Sequence, residues 1–142
     1  MSRRIKGLVE FEDDRGAVVR YVRHAHGGGL VSPAARAHES AWLADTSYVE
    51  AGAVVHEGAR VGAGSWVDTD VVVGARAVVG SNVHLGAGTR VGADARVGAG
   101  ARLGERVVLE PGATVPADQV VPDETTVAGS GRGRPSGYER AA

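Results

Sequence analysis

The sequence predicts an all-β solenoid, and three observations carry that prediction. An aliphatic residue recurs at every sixth position from Val31 to Val127, and sixteen of these seventeen positions are Val or Leu, with Ala37 the other. Four residues after each of them, from Ala35 to Thr125, stands Ala, Ser, Thr or Val, with Gln119 the one departure. Glycine reaches 22 residues while the chain holds one Phe, one Met, two Trp and three Tyr. An interior of large side chains cannot be built from this composition, so the interior must be narrow.

A strict period of six is neither the 3.6 of a helix nor the simple two of a long strand. Short strands joined by tight corners produce it, with the two selected positions facing inward and each hexad forming one side of a coil. The corners are marked as well. The residue three after the aliphatic is Gly, Asn or Asp in ten of sixteen hexads: Gly52, Gly58, Gly64, Asp70, Asn82, Gly88, Asp94, Gly100, Gly112 and Asp118. These types tolerate positive φ at a turn.

The segments flanking the repeat read differently. In residues 1–30, "IKGLVEF" and "AVVRYVR" flank "EDDRG", a hairpin signal, and this N-terminal β cap is expected to block edge pairing by the first coil. Gly27 to Gly29 read as the hinge into the repeat. Residues 31–128 form the solenoid, whose last hexads begin with proline, a residue that removes a ladder donor and suits an edge. The Gly-, Ser- and Arg-rich residues 129–142 read as a disordered tail.

Sixteen basic residues against 17 acidic ones give no global attraction to nucleic acid or anionic membrane. There is no cysteine for a disulfide or a thiolate metal site, and no apolar run long enough for a span or a signal peptide. A soluble, cytoplasmic protein is the expectation.

The pattern of aliphatic, Gly/Ala/Glu/Asp, two free residues, a small residue and one more resembles the hexapeptide-repeat family. That resemblance implies a left-handed parallel β-helix of triangular section with three hexads per coil, so the sixteen hexads of residues 31–126 make about 5.3 coils without an insertion. It also implies a homotrimer about an axis parallel to the helix. In this register the residue before each aliphatic points outward, and positions eighteen apart stack. One column is Tyr48, Trp66, His84, Arg102 and Val120, with Glu50 and Asp68 beside it. The second is Arg36, Val54, Val72, Arg90, Val108 and Thr126, and the third Trp42, Arg60, Val78, Arg96 and Thr114. The aromatic and valine columns are candidates for subunit packing or for a ligand cleft between subunits. Arg90, Arg96 and Arg102 belt one coil, either as a solvated girdle or as a seat for a phosphate or carboxylate.

Acyltransferases of the family use a histidine as general base. "NVHLGAG" around His84 resembles the "VHIAPG" segment of its sugar N-acetyltransferases, where the histidine is a secondary binding residue. The "HD" pair that carries the catalytic histidine nine residues earlier is replaced here by Ala75 and Arg76. "VAGSGRG", from Val127 to Gly133, resembles the closing "VAGNPAK" near the carrier's pantetheine arm but lacks the Asn-Pro. On this reading His84 is the base, Arg90 or Arg102 helps bind the carrier, and Tyr48 and Trp66 contact substrate. The family's carbonic-anhydrase branch suggests a metal on His38 and His56, eighteen apart, although a catalytic zinc wants three protein ligands and His84 lies on another face. That branch's Arg-Gly-Asp segment and its pair of histidines five apart are absent, and His24 and His26 alternate on a strand of the head.

Because the repeats are complete and the catalytic signatures partial, the leading expectation is a homotrimeric, non-catalytic scaffold or binding module. It would have no cofactor and would take a protein or small molecule at its subunit interfaces. The alternative is a transferase using acetyl-CoA or another acyl-CoA; a metal enzyme and an end-to-end filament stand behind it.

Overall fold

A computed structural model of the chain describes residues 8–12, 16 and 18–129. Two longer strands, β1 (Leu8–Glu12) and β2 (Val18–Arg23), precede seventeen two-residue strands that begin with β3 (Leu30–Val31) and end with Thr126–Val127. The short strands fall into three parallel sheets, one per face, and every pairing joins residues eighteen apart, as in Tyr48 with Trp66, Val72 with Arg90 and Val78 with Arg96. The result is an all-β parallel solenoid, and among the described residues there is no helix that could cross a membrane.

Both inward positions are filled as the period predicts. Leu43, Val49, Val61, Val67, Val73 and Leu85 are fully buried on the aliphatic ladder, as are Ala41, Ala53, Ala59, Ala77 and Ala95 on the small one. Adjacent coils approach closely on the residue that follows many aliphatics. A Cβ on Gly62 would lie 2.6 Å from the carbonyl carbon of Gly80 and 2.7 Å from the Ser81 nitrogen, so the coils could not keep their spacing with a side chain there. Three hydroxyls are buried on the small ladder, and each is satisfied: Ser47 donates to the Ala44 carbonyl at 2.7 Å, Ser65 to Gly80 at 2.6 Å and Thr89 to Gly104 at 2.9 Å. Ser65 Oγ also accepts from the Val83 amide of the next coil at 3.0 Å. The Ser65 and Thr89 bonds tie corner to corner, where an alanine would supply only volume.

From Gly52 to Glu124 every corner has positive φ, including Arg76 (60°), Arg106 (54°) and Glu124 (61°), which the sequence did not mark. The coil imposes the conformation there, and the side chains are anchored on neighbouring coils: Arg76 Nε lies 3.0 Å from Asp94 Oδ1, and Arg106 Nη2 lies 3.0 Å from Glu124 Oε2. Both pairs are exposed, so solvent screening leaves each a minor contributor to stability.

The head caps the N-terminal end. β1 and β2 are antiparallel, and β2 runs antiparallel to β3 (Val22 opposite Val31), which extends the Tyr48 face by a hairpin and ends its parallel stacking. Gly27 to Gly29 form a hydrogen-bonded turn rather than a free hinge. The Leu43 amide donates to His26 O at 3.0 Å and the Gly29 amide to Leu43 O at 3.0 Å, so this turn covers the edge of a second face. Gly27 has φ 94°, and its missing Cβ would collide with the Leu43 carbonyl. The expected tail lies outside the described residues from 130 onward, while the Gly129 amide donates to Glu110 Oε1 at 3.0 Å.

Candidate functional site

The face that carries the head also carries the concentrated side-chain chemistry. Tyr48, Trp66, His84, Arg102 and Val120 stand in register on consecutive coils. Glu50 and Asp68 lie two residues after Tyr48 and Trp66, and each reaches the outward side chain of the next coil, sixteen residues on. Trp66 Nε1 donates to Glu50 Oε2 at 2.9 Å. His84 Nε2 lies 3.1 Å from Asp68 Oδ2, and Asp68 Oδ1 accepts the Thr69 amide at 2.7 Å. Trp66 and His84 are stacked, with centroids 4.5 Å apart and planes at 21°.

This arrangement has a chemical consequence for the imidazole. A carboxylate facing Nε2 selects the tautomer with the proton on that nitrogen, which leaves the Nδ1 lone pair free to take a proton. The indole on one side and the carboxylate at one edge fix the ring, while 35% of the side chain remains exposed. Nothing charged repeats the pattern one coil further. Gly86 stands where Glu50 and Asp68 stand, so Arg102 has no carboxylate beneath it and no ion-pair partner among the described residues. His84 and Arg102 open onto a groove of about 470 Å³ whose other walls include Asp68, Val120 and Asp123.

A second groove of about 470 Å³ lies on the other side of Trp66, lined by Tyr21, Tyr48, Glu50 and Trp66. Tyr21 comes from the head. It is 7% exposed, meets Tyr48 edge-on at 5.3 Å and donates its hydroxyl to Glu50 at 3.0 Å. Burial, then the hydrogen bond and charge of Glu50, push the Tyr21 phenol from 10.0 up to about 12. The phenol is favoured neutral in the fold, so its contribution is fully present below pH 10 and is lost as the pH rises towards 12. Ultraviolet titration should therefore resolve a phenol ionising near pH 12 in step with loosening of the head, and Tyr21→Phe should remove that step. Its absence from the parent protein would contradict the docked geometry.

Of the residues singled out from the sequence, Tyr48, Trp66, His84 and Arg102 share one face. Arg90 does not; it stands on the next face between Val72 and Val108. His38 and His56 lie beside that second column, and His38 Nδ1 already accepts the Ser40 amide at 3.0 Å. Among the described residues no three metal-binding side chains gather. Sequence reasoning noted Glu50 and Asp68 only as neighbours and missed Tyr21. The signal for the acidic pairs was a sixteen-residue spacing, one coil less two.

A family model described as bacterial transferase hexapeptide (six repeats) matches residues 70–105. No curated protein matches the chain. Among solved structures, the acetyltransferase domain of PglB from Neisseria gonorrhoeae in complex with acetyl coenzyme A is 32% identical, over 70% of this chain and 54% of that chain, with a TM-score of 0.42. PerB from Caulobacter crescentus in complex with CoA and GDP-perosamine is 24% identical, over 70% of this chain and 53% of that chain, with a TM-score of 0.48. This chain thus spans about half the length of each. The expectation of a non-catalytic scaffold is corrected by the family match. The matched model is a transferase model. The face whose signatures looked partial in sequence also holds a paired histidine and carboxylate.

Proposed function

We propose that the chain is a hexapeptide-repeat protein, on the match of its residues 70–105 and its parallel solenoid, and that it is an acyltransferase that moves an acyl group from acyl-CoA to an amine or hydroxyl. The observation that carries the reading is His84, held by Asp68 at 3.1 Å and open to the groove that contains Arg102. The donor supplies an activated thioester; what remains for the protein is to bind, orient and remove a proton. His84 Nδ1 takes the proton from the acceptor nitrogen or oxygen as that atom attacks the thioester carbonyl, and passes it to the departing thiolate. Asp68 holds the ring in the competent tautomer and stabilises the imidazolium that forms in between.

The residues present fit the donor. Arg102 has no ion-pair partner among the described residues and is suited to a phosphate, and Val120 offers an apolar wall for a pantetheine arm. Saturating acetyl-CoA should raise the melting temperature of the protein; at about 100 times Kd the stabilisation is about 2.7 kcal/mol. No shift with acetyl-CoA or any longer acyl-CoA would overturn the reading.

The proposal extends to a homotrimer in the cytoplasm. Its support is the outward-facing column beside the candidate face, in which Val54 and Val72 are part-buried and Val108 is exposed within one chain. Such packing would bring a neighbouring wall to each groove. Light scattering at micromolar concentration should give three times the chain mass of 14.5 kDa, and a monomer would remove the shared-groove arrangement.

A further inference from the structure

The solenoid has two exposed tryptophans, and the chain treats them differently. Trp42, 38% exposed, has its ring face covered by a cation of its own, the Arg60 guanidinium 5.2 Å from the ring centre. Trp66, 44% exposed, stacks on His84, and among the described residues no basic side chain lines the groove on its other side; the walls are Tyr21, Thr46, Tyr48, Glu50, Gly64 and Ser65. Glu50 in that groove is anionic and has no basic partner among the described residues. Its two donors, the Tyr21 hydroxyl and the Trp66 indole N–H, are both neutral.

The Tyr21 bond to Glu50 helps dock the head onto the solenoid, but docking does not require an aromatic groove left open around a fixed carboxylate. A carboxylate held in place by neutral donors, with the electron-rich rings of Tyr48 and Trp66 beside it, has the chemistry that recognises an organic cation. A dicarboxylate or phosphate ligand would be repelled by Glu50. A purely apolar ligand would make no use of it, and a metal ion would find one carboxylate and no second acidic ligand in the groove.

We propose that the groove formed by Tyr21, Tyr48, Glu50 and Trp66 is a binding site for an alkylammonium group. Resting on the acyl-transfer reading, it is the place where the cationic end of the acceptor is anchored. Trp66 is the wall shared between this site and His84, so an acceptor with its charge here has its body directed along the face towards the base. The head is then part of the substrate site as well as a cap, because Tyr21 fixes the carboxylate on which recognition depends.

The probe is choline, compared with 3,3-dimethylbutan-1-ol, which has the same shape without the charge. Binding to the full chain is followed by tryptophan fluorescence in a Trp42→Phe background, with no acyl donor present. Choline should bind saturably and about tenfold more tightly than the neutral isostere. Glu50→Gln, which preserves the shape of the side chain, should erase that preference while circular dichroism and melting stay near those of the parent. Trp66→Leu, which removes the remaining tryptophan and is therefore followed by titration calorimetry, should weaken both probes. Equal binding of the two probes, or no saturable binding of choline, overturns the proposal. Transfer assays keep the two ideas apart: cation binding without any acyl transfer would sink the transferase reading alone, and transfer to neutral acceptors with Glu50→Gln unaffected would sink the cation site alone.

Discussion

Replacing His84 with alanine should lower kcat for acyl transfer by about 10²–10⁴-fold, the range that a positioned general base contributes. KM for acyl-CoA should move little, because the groove wall that carries Arg102 is on the next coil and keeps its backbone bonds. Asp68→Asn should also be severe. An amide can present its NH₂ group to Nε2, which favours the tautomer with the proton on Nδ1, the nitrogen that must accept one. Because the proposed mechanism couples His84 to Asp68, the double variant should be about as slow as His84→Ala alone and not the product of the two losses. The variant His84→Asn controls for structure: it fills part of the space against Trp66 without supplying a base. Should His84→Ala retain full kcat while its melting temperature drops, the histidine is a packing residue and the mechanism fails.

Where the sequence was readable and where it was not has a physical explanation. The period of six is a direct image of the three-sided coil, because each side repeats the same two inward positions; the burial of Val67, Leu85 and Leu103 and of Ala77 and Ala95 follows from it without adjustment. The outward columns follow from the same arithmetic. The corners were only partly legible, since a coil closed by its neighbours can hold Arg76 or Arg106 at positive φ when composition alone would ask for glycine or asparagine. The acidic pairs were hidden for a different reason. Asp68 and His84 face one another through side-chain reach along the strand, so their spacing is sixteen where the backbone register is eighteen. Tyr21 was beyond reach of the repeat altogether. Its place depends on the antiparallel register of β2 on β3, which no period encodes. The mistaken weight given to a scaffold came from here: motifs were sought in the family's linear order, and the histidine–carboxylate pair is assembled across two coils.

The largest expected effect on stability comes from Leu85→Ala. Leu85 is fully buried, stacked between Val67 and Leu103 in the middle of its ladder. Truncation of a buried leucine costs about 2–5 kcal/mol, and the upper part of that range applies where the surroundings cannot close around the gap. Here they cannot. The Asp68 amide donates to Leu85 O at 3.2 Å and the Gly86 amide to Leu103 O at 2.9 Å, so the coils are fixed at strand spacing above and below. Closing the cavity would break a ladder on one face to repair the core. Against a total stability of about 5–15 kcal/mol for a domain, such a loss is a large fraction. The same substitution at Leu109, also buried but one coil from the last strand of its face, should cost less, because in a stack stabilised by nearest neighbours the end coil can fray without unfolding the rest. Urea unfolding of the two variants measures the difference. Leu85→Ala should lower the midpoint of the whole transition, whereas Leu109→Ala should mainly broaden it. Equal losses would show that the solenoid unfolds as one indivisible unit. Loss of order at Leu85 would also displace its neighbour His84, so activity should disappear with the central transition and survive fraying at the end.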